Sequence, residues 1–384
     1  MRINKKIEIL DSTLREGEQT PGVSFTRSQK IEIAKMLNDF GVDFIELGHP
    51  AVSNDIYSTI KLLNSEPLTS EKIVHARLKK SDIDDAVNLG IPWIGLFFGT
   101  SKDYLHDKYN LDEKNALEMI KDSIEYAKSK GLKIRFTAED ASRTDIDFLI
   151  KIGKLAEKAG ADRFSLADTV GILYPAKVSE LVSALISELK IPLHMHCHND
   201  FGLATANALQ ALQSGVKCVD VTINGLGERC GLPPLAELTA ALDELFKVDH
   251  SWNLKKLKKM SSYMDRITKM DNSYTRPITG KYSFSHKAGI HVNAMLKNQS
   301  SYQSISPKKL NRRHKIIIDK YTGRKAIQYR LKHLKIEYDD QLIDNIVLEI
   351  KRNPIVTNWT DKKIMQLAEK FISSKVENAK SSVL

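Results

Sequence analysis

The segment LHMHCHND (193–200) places histidines at positions 194, 196 and 198. Alternate residues of a β-strand face the same side, so the three imidazoles can line one wall. Imidazole nitrogens suit a divalent metal, and a carboxylate from elsewhere in the chain would add an oxygen ligand. Two histidines and one carboxylate leave coordination positions open. That is the layout of a Lewis-acid centre that polarises a bound carbonyl. The alternative is a row of hydrogen-bonded histidines holding no metal. A second polar segment, DSTLREGEQ (11–19), supplies Asp11, Arg15, Glu16 and Gln19. A carboxylate placed opposite His196 and His198 favours the metal. Cys197 lies between those two candidate ligands and points the other way, which makes a thiolate ligand the lesser option.

Positioning these groups requires a repeating scaffold. Short apolar, β-rich runs alternate with longer amphipathic ones: KIEILDST (6–13), VDFIELGH (42–49), KIVHARL (72–78), WIGLFFG (93–99), KIRFTAE (133–139), RFSLAD (163–168), PLHMHCH (192–198) and CVDVTI (218–223). A helical pattern follows each, the longest at 112–130. Glycines in NDFG, KAG and QSG sit where left-handed helix ends need them. About eight strand–helix units in the first ~250 residues fit a (β/α)8 TIM barrel. A doubly wound open sheet is the alternative. No GxGxxG follows the first strand, which weakens its dinucleotide-binding form. After residue 250 the rhythm becomes helical and basic. The expected organisation is therefore an α/β barrel domain over 1–250 and a helical C-terminal module over 251–384.

Composition narrows the class further. The chain has 384 residues, 42% hydrophobic and 28% charged, enough for one large core with an appendage. Three cysteines without pairing or CxxC spacing indicate a reducing compartment. The first residues lack an apolar signal-like stretch and no run is long enough to span a bilayer, so a cytoplasmic location is expected. The net charge of +10 is concentrated in stretches such as LKKLKKM and SPKKLNRRHKI. No zinc-finger, RNP-like or helix-turn-helix pattern accompanies it, so no nucleic-acid partner is expected. A solvated basic face and a surface attracting a polyanion such as coenzyme A both fit.

In a TIM barrel the chemistry gathers at the C-terminal ends of the strands. The second strand ends at Glu46 and His49, and the third holds His75 and Arg77. The fifth carries Arg135, Thr137, Glu139 and Asp140; the sixth ends at Asp168 and Thr169. The loop NGLGERCGLPPLAE after the eighth strand is a tight turn feeding a helix. Glu228 and Arg229 within it are expected to pair with residues at the mouth.

Taken together, DSTLREGEQTPG, EDASRTD, ADTVG, HCHNDFGLATANAL and NGLGERCG resemble the TIM-barrel metallolyase-type acyltransferases. That family includes homocitrate, 2-isopropylmalate and citramalate synthases. The resemblance runs in order from about residue 6 to 330. It implies a Claisen-type condensation of acetyl-CoA with a 2-oxo acid, dependent on a divalent metal (Mg, Mn or Zn), in a homodimer. By the family's motifs, Glu16, His196 and His198 bind the metal and Arg15 contacts the oxo acid and its developing alkoxide. Gln19 lies beside Arg15, and Thr169 contacts the C1 carboxylate. His291 and Tyr302, in SHKAGIHVNAMLKNQSSY, match a catalytic pair that reaches into a neighbouring subunit's barrel. His286 matches a further family position. Glu139 is a rival base.

The segment YLHDKYNLDEKNALEMIKDSIEYAKSKGLKIRFTAEDASRTD resembles homocitrate synthases more than the leucine-pathway enzymes. The resemblance assigns Arg135, with His75 and Thr137, to the distal carboxylate of 2-oxoglutarate. A buried guanidinium without an anion is costly, which favours a dicarboxylic substrate. Two departures stand out: Gly95 where homocitrate synthases carry an acid, and His194 where they carry a glutamate. Oxaloacetate therefore stays open, in a citrate synthase of the other facial selectivity, as do 2-isopropylmalate and citramalate synthesis. A lyase of the same superfamily would instead release acetoacetate from hydroxymethylglutaryl-CoA. A non-enzymatic basic binding module would require the convergence at the barrel mouth to be accidental.

Overall fold

The computed structural model describes residues 7–270 and 274–381, with side chains as far as residue 375. Strand β1 (Glu8–Asp11) pairs in parallel with both β2 (Phe44–Glu46) and β8 (Cys218–Val221). Between them run β3 (Glu71–Arg77), β4 (Trp93–Gly99), β5 (Lys133–Glu139), β6 (Arg163–Asp168) and β7 (Leu193–Cys197). Each pairs with the next, so the sheet closes as a barrel in sequence order. An open doubly wound sheet would leave two unpaired edges, and here the first strand bonds the last.

Strands of a parallel barrel are covered on both faces, and their sequences are correspondingly continuous in apolar character. In WIGLFFG every residue but Phe97 is buried. Helices α1 (Arg27–Phe40), α2 (Asn54–Ser65), α3 (Lys80–Asn88), α4 (Glu113–Ser129), α5 (Ile146–Ala159), α6 (Pro175–Ile186), α7 (Ala204–Ser214) and α8 (Leu235–Glu244) follow the strands in turn. The starts of α1, α2, α4 and α5 are fixed by side-chain caps. Thr26 accepts from Gln29 N, and the Gln29 side chain returns a bond to the Thr26 backbone, a capping box that opens α1. Asp145 accepts from the N–H groups of Asp147 and Phe148 and opens α5. Gly160 ends that helix at φ 105°, a conformation that costs other residues a Cβ clash.

The two ends of the barrel differ in chemistry. At the strand starts, Leu10, Phe44, Ile73, Trp93 and Cys218 form an apolar plug. Phe44 and Trp93 meet edge to face at 5.4 Å, and the Arg163 guanidinium lies over both rings and pairs with Glu8. Apolar packing thus closes one end, and polar side chains collect at the other.

Contacts divide the chain into Met1–Asn272 and Ser273–Leu384 rather than near residue 250. The reason is helix α9 (Leu257–Thr268), which packs against α1 of the barrel. Asn224 Nδ2 donates to Ser261 O and Asp265 Oδ1, tying α9 to the turn after β8. In the second unit β9 (Ser285–His286) and β10 (Lys315–Ile316) form a short parallel pair. Helices α10 (Gly289–Lys297), α11 (Arg324–His333), α12 (Asp340–Arg352) and α13 (Asp361–Ser381) accompany it. Their core includes Val292, Met295, Ile318, Ile327, Leu331, Ile346, Ile350 and Ile364. No helix among the described residues is long and apolar enough to cross a membrane.

Thr26 is exposed, so its contribution is the cap alone. Thr26→Ala is expected to lower unfolding free energy by about 1 kcal/mol, measured by urea titration, with the m-value unchanged.

Candidate active site and metal centre

A cavity of about 590 Å³ opens at the C-terminal ends of the strands. Its wall includes Arg15, Glu16, Gln19, His75, Arg135, Thr137, Glu139, Thr169, His196 and His198. The structure thus brings together every barrel residue that the resemblance assigned to the site. His291 and Tyr302 belong to the second unit, where their rings lie 4.3 Å apart between centroids.

Glu16 follows β1 in a turn whose Arg15 and Gly17 amides both donate to Ser12 O. The loop after β8 reaches over it, and the Glu228 amide donates to Glu16 Oε1 at 2.9 Å. That loop needs Gly231, at φ 76°, because a Cβ there would sit 1.8 Å from the Gly225 carbonyl oxygen. Arg229 pairs with Asp200 at 2.8 Å and donates to Thr169 O, so its charge is met at the mouth. His196 lies on β7 and His198 just beyond it. One ligand atom each from Glu16, His196 and His198 lies within 4.8 Å of the others, and all three residues are buried.

This set fits a divalent ion. Nε2 of His196 and Nε2 of His198 face each other at 3.3 Å. Nδ1 of His196 is 2.7 Å from Asp220 Oδ2, and a carboxylate accepts only, so Nδ1 carries the proton and Nε2 the lone pair. Burial, then the neighbouring His196, lowers the His198 pKa to about 3, which keeps that ring neutral. Burial alone would raise the Glu16 carboxyl, but Arg15 and the two histidines hold it below its usual value. The result is a carboxylate oxygen beside the Nε2 atoms of two imidazoles, the donor set that Mg, Mn or Zn accepts to different degrees.

Deeper in the barrel lies a network of buried charges. Glu46 accepts from Arg15 Nε at 2.8 Å, Ser12 Oγ at 2.5 Å and Arg135 Nη2 at 2.9 Å. Burial would raise its carboxyl, and the two guanidinium groups hold it well below the ordinary range. His75 Nδ1 is 3.3 Å from Glu46 Oε1 but too poorly aligned for a hydrogen bond, and its ring stacks on Phe97 at 4.2 Å. Burial and the Arg15 charge lower its pKa to about 3.

Two expectations change here. His194 does not reach the mouth: it is buried, with Nε2 at 2.5 Å from Asp220 Oδ1. Arg135 is not an uncompensated cation, since Glu46 and, at 3.5 Å, Asp220 already answer its charge. What it keeps is an unused donor. Arg135 Nε and Thr137 Oγ1 are buried without a partner. Its guanidinium rests on Gly95, where a Cβ would be 3.0 Å from Nη2. Thr169 Oγ1 accepts from the Asp140 amide at 2.8 Å, which leaves its own proton for an acceptor in the cavity. Glu139 is held by Lys108 Nζ at 3.0 Å.

Asp220 was passed over in the sequence because it sits inside the apolar run CVDVTI; a lone acid inside a buried strand was the available signal. Glu46 was visible at a strand end, but its partners lie far away in sequence.

An HMGL-like family model matches residues 6–264, and a model described as the homocitrate synthase post-HMGL domain matches 278–355. The homocitrate synthase of Sulfurisphaera tokodaii is 46% identical over 369 residues, covering 95% of this chain and 80% of that protein. This chain belongs to the homocitrate synthase family. The homocitrate synthase of Saccharolobus solfataricus shows the same identity and coverage. A homocitrate synthase-like enzyme, an acyltransferase, is thereby established. Among solved structures, the HMG-CoA lyases of Bacillus subtilis (TM-score 0.63, 22% identity, 70% of this chain and 96% of that one) and Pseudomonas aeruginosa (0.65, 19%, 73% and 98%) share the barrel fold.

Asp11, at the end of β1, gives a separate test. Its Oδ1 accepts from the Thr13 amide, its Oδ2 has no partner, and burial raises its pKa from 3.8 to about 7. A raised carboxyl pKa gives stability that is full below about pH 4 and is lost as pH rises through 7. Asp11→Asn removes this dependence. The variant's stability relative to the parent should rise between pH 4 and pH 8 by on the order of 4 kcal/mol, measured by urea unfolding at both values. Parallel profiles would mean that the group is ionised in the folded protein.

Proposed function

We propose that this enzyme condenses acetyl-CoA with 2-oxoglutarate to give homocitrate and CoA, using a divalent metal held by Glu16, His196 and His198. The observation that carries the reading is the placement of that ligand set in one cavity with Arg15 and with the unused donors of Arg135 and Thr137. The 46% identity to curated homocitrate synthases supports the substrate pair. A bound divalent ion would polarise the oxo acid's carbonyl as a Lewis acid.

The chain's own groups account for the remaining needs. Thr169 donates its hydroxyl proton to the C1 carboxylate. Arg135 Nε and Thr137 Oγ1, beside the neutral His75, receive the distal carboxylate. Arg15, with Gln19 as its neighbour, stabilises the oxyanion that forms as the carbonyl is attacked. A base must take a proton from the acetyl methyl group. Glu139 is one candidate, and His291 with Tyr302, contributed by a second subunit of a homodimer, is the other. The resulting enolate carbon bonds to C2 of the oxo acid, the alkoxide is protonated, and water cleaves the thioester. Two buried free cysteines and one exposed one suit a reducing, cytoplasmic setting.

The test is a panel of 2-oxoglutarate, oxaloacetate, 2-oxoisovalerate and pyruvate with acetyl-CoA, following CoA release with a thiol reagent. Release should be fastest with 2-oxoglutarate and should stop when metal is chelated. Glu16→Gln and His196→Ala should each cost roughly a hundredfold or more in kcat. Arg135→Lys, which retains charge but loses the fork, should lower kcat/KM for 2-oxoglutarate by about thirtyfold and spare a monocarboxylic oxo acid. Equal losses on both would refute the distal-carboxylate assignment.

A further inference from the structure

Asp220 is the only acid in CVDVTI, and its two oxygens are used separately. Oδ2 takes the Nδ1 proton of His196 at 2.7 Å, and Oδ1 takes the Nε2 proton of His194 at 2.5 Å. Arg135 Nη1 also lies 3.5 Å from Oδ1. All four side chains are buried. One carboxylate therefore touches both a candidate metal ligand and the arginine assigned to the substrate's far end. The ring's other nitrogen, Nε2, faces His198 Nε2 at 3.3 Å within the candidate ligand set.

We propose that Asp220 is a positioning residue that presents His196 to the metal and, through the same carboxylate, sets the stance of Arg135. His194 is its counterweight on the other oxygen. The inference rests on the metal assignment made above. Its logic is acceptor arithmetic. A carboxylate can only accept, so as long as Asp220 faces Nδ1, His196 must offer a lone pair at Nε2. The His194 bond holds the carboxylate plane so that Oδ2 stays on His196. With an amide at 220, one of the two oxygens becomes an NH2 group. One histidine then meets a donor where it had an acceptor, and either its tautomer or its ring orientation must change. The arrangement depends on a donor at position 194, because an acid there would repel Asp220 instead of bonding to it.

The test is the affinity for Mn(II), measured by equilibrium dialysis on the full-length protein without either substrate, after circular dichroism confirms folding. Asp220→Asn should raise the Mn(II) Kd by about 10- to 100-fold. It should also raise the KM for 2-oxoglutarate, because Arg135 loses the same anchor. His194→Leu should weaken Mn(II) by about tenfold, the low end of that range, and His194→Gln, which keeps a donor, should recover most of the loss. If Asp220→Asn does not fold, the His194 pair carries the test alone. An Mn(II) Kd unchanged in folded Asp220→Asn, or equal in His194→Leu and His194→Gln, overturns the proposal. Because the measurement uses no substrate, a wrong choice of oxo acid leaves it intact. A parent protein that does not bind Mn(II) overturns both this inference and the metal assignment.

Discussion

One carboxylate shared by two guanidinium groups organises the barrel mouth. Glu46 is fully buried and answers both Arg15 and Arg135. Bringing three such charges out of water is expensive, and their mutual attraction offsets the cost only when the geometry leaves few lone pairs unmet. Here Ser12 adds a hydrogen bond to Glu46, and Asp220 lies beside Arg135. The gain is fixed placement. Arg15 is held against Glu16, while Arg135 is drawn across the barrel from β5 toward β2 and β8. Removing Glu46 would leave two cations facing each other, so the arginines on opposite walls depend on it.

The division of labour between the barrel ends follows from the same economy of charge. The plug of Leu10, Phe44, Ile73, Trp93 and Cys218 excludes water below the network. Low local polarity strengthens every pairing above it and penalises every unpaired group. Asp11 illustrates the penalty: with one oxygen unanswered, its carboxyl titrates near neutrality. His75 and His198 illustrate the converse, as burial keeps both rings neutral and available as acceptors or ligands.

Much of this was legible in the sequence. WIGLFFG, KIRFTAE and RFSLAD coincide with β4, β5 and β6: the first is the uninterrupted apolar run that a strand covered on both faces allows, and the second alternates polar and apolar residues with the strand period. The cavity residues were legible because chemistry at strand ends is written locally, in motifs such as LREGEQ and HMHCHND. Long-range pairing was not. Arg135 reads as an orphan cation because its partners are 89 and 85 residues away, and His194 reads as a third imidazole on the mouth wall because periodicity gives a side but not a depth. Helix α11 leaves little trace in the sequence because its buried face, Ala326, Ile327 and Leu331, is narrow within a basic run. The boundary was misplaced because the basic α9 shares the charge of the following unit yet buries Leu257, Met260 and Met264.

Gly95 has a consequence beyond its own position. Its bare α-carbon is the berth on which the Arg135 side chain lies, on the neighbouring strand and directly opposite in register. A Cβ at 95 would press on the guanidinium at 3.0 Å, so a heavier residue there requires the Arg135 side chain to shift by a few tenths of an ångström. Positions 95 and 135 are thus coupled through space: the bulk of the first sets how closely the second can lie against the neighbouring strand.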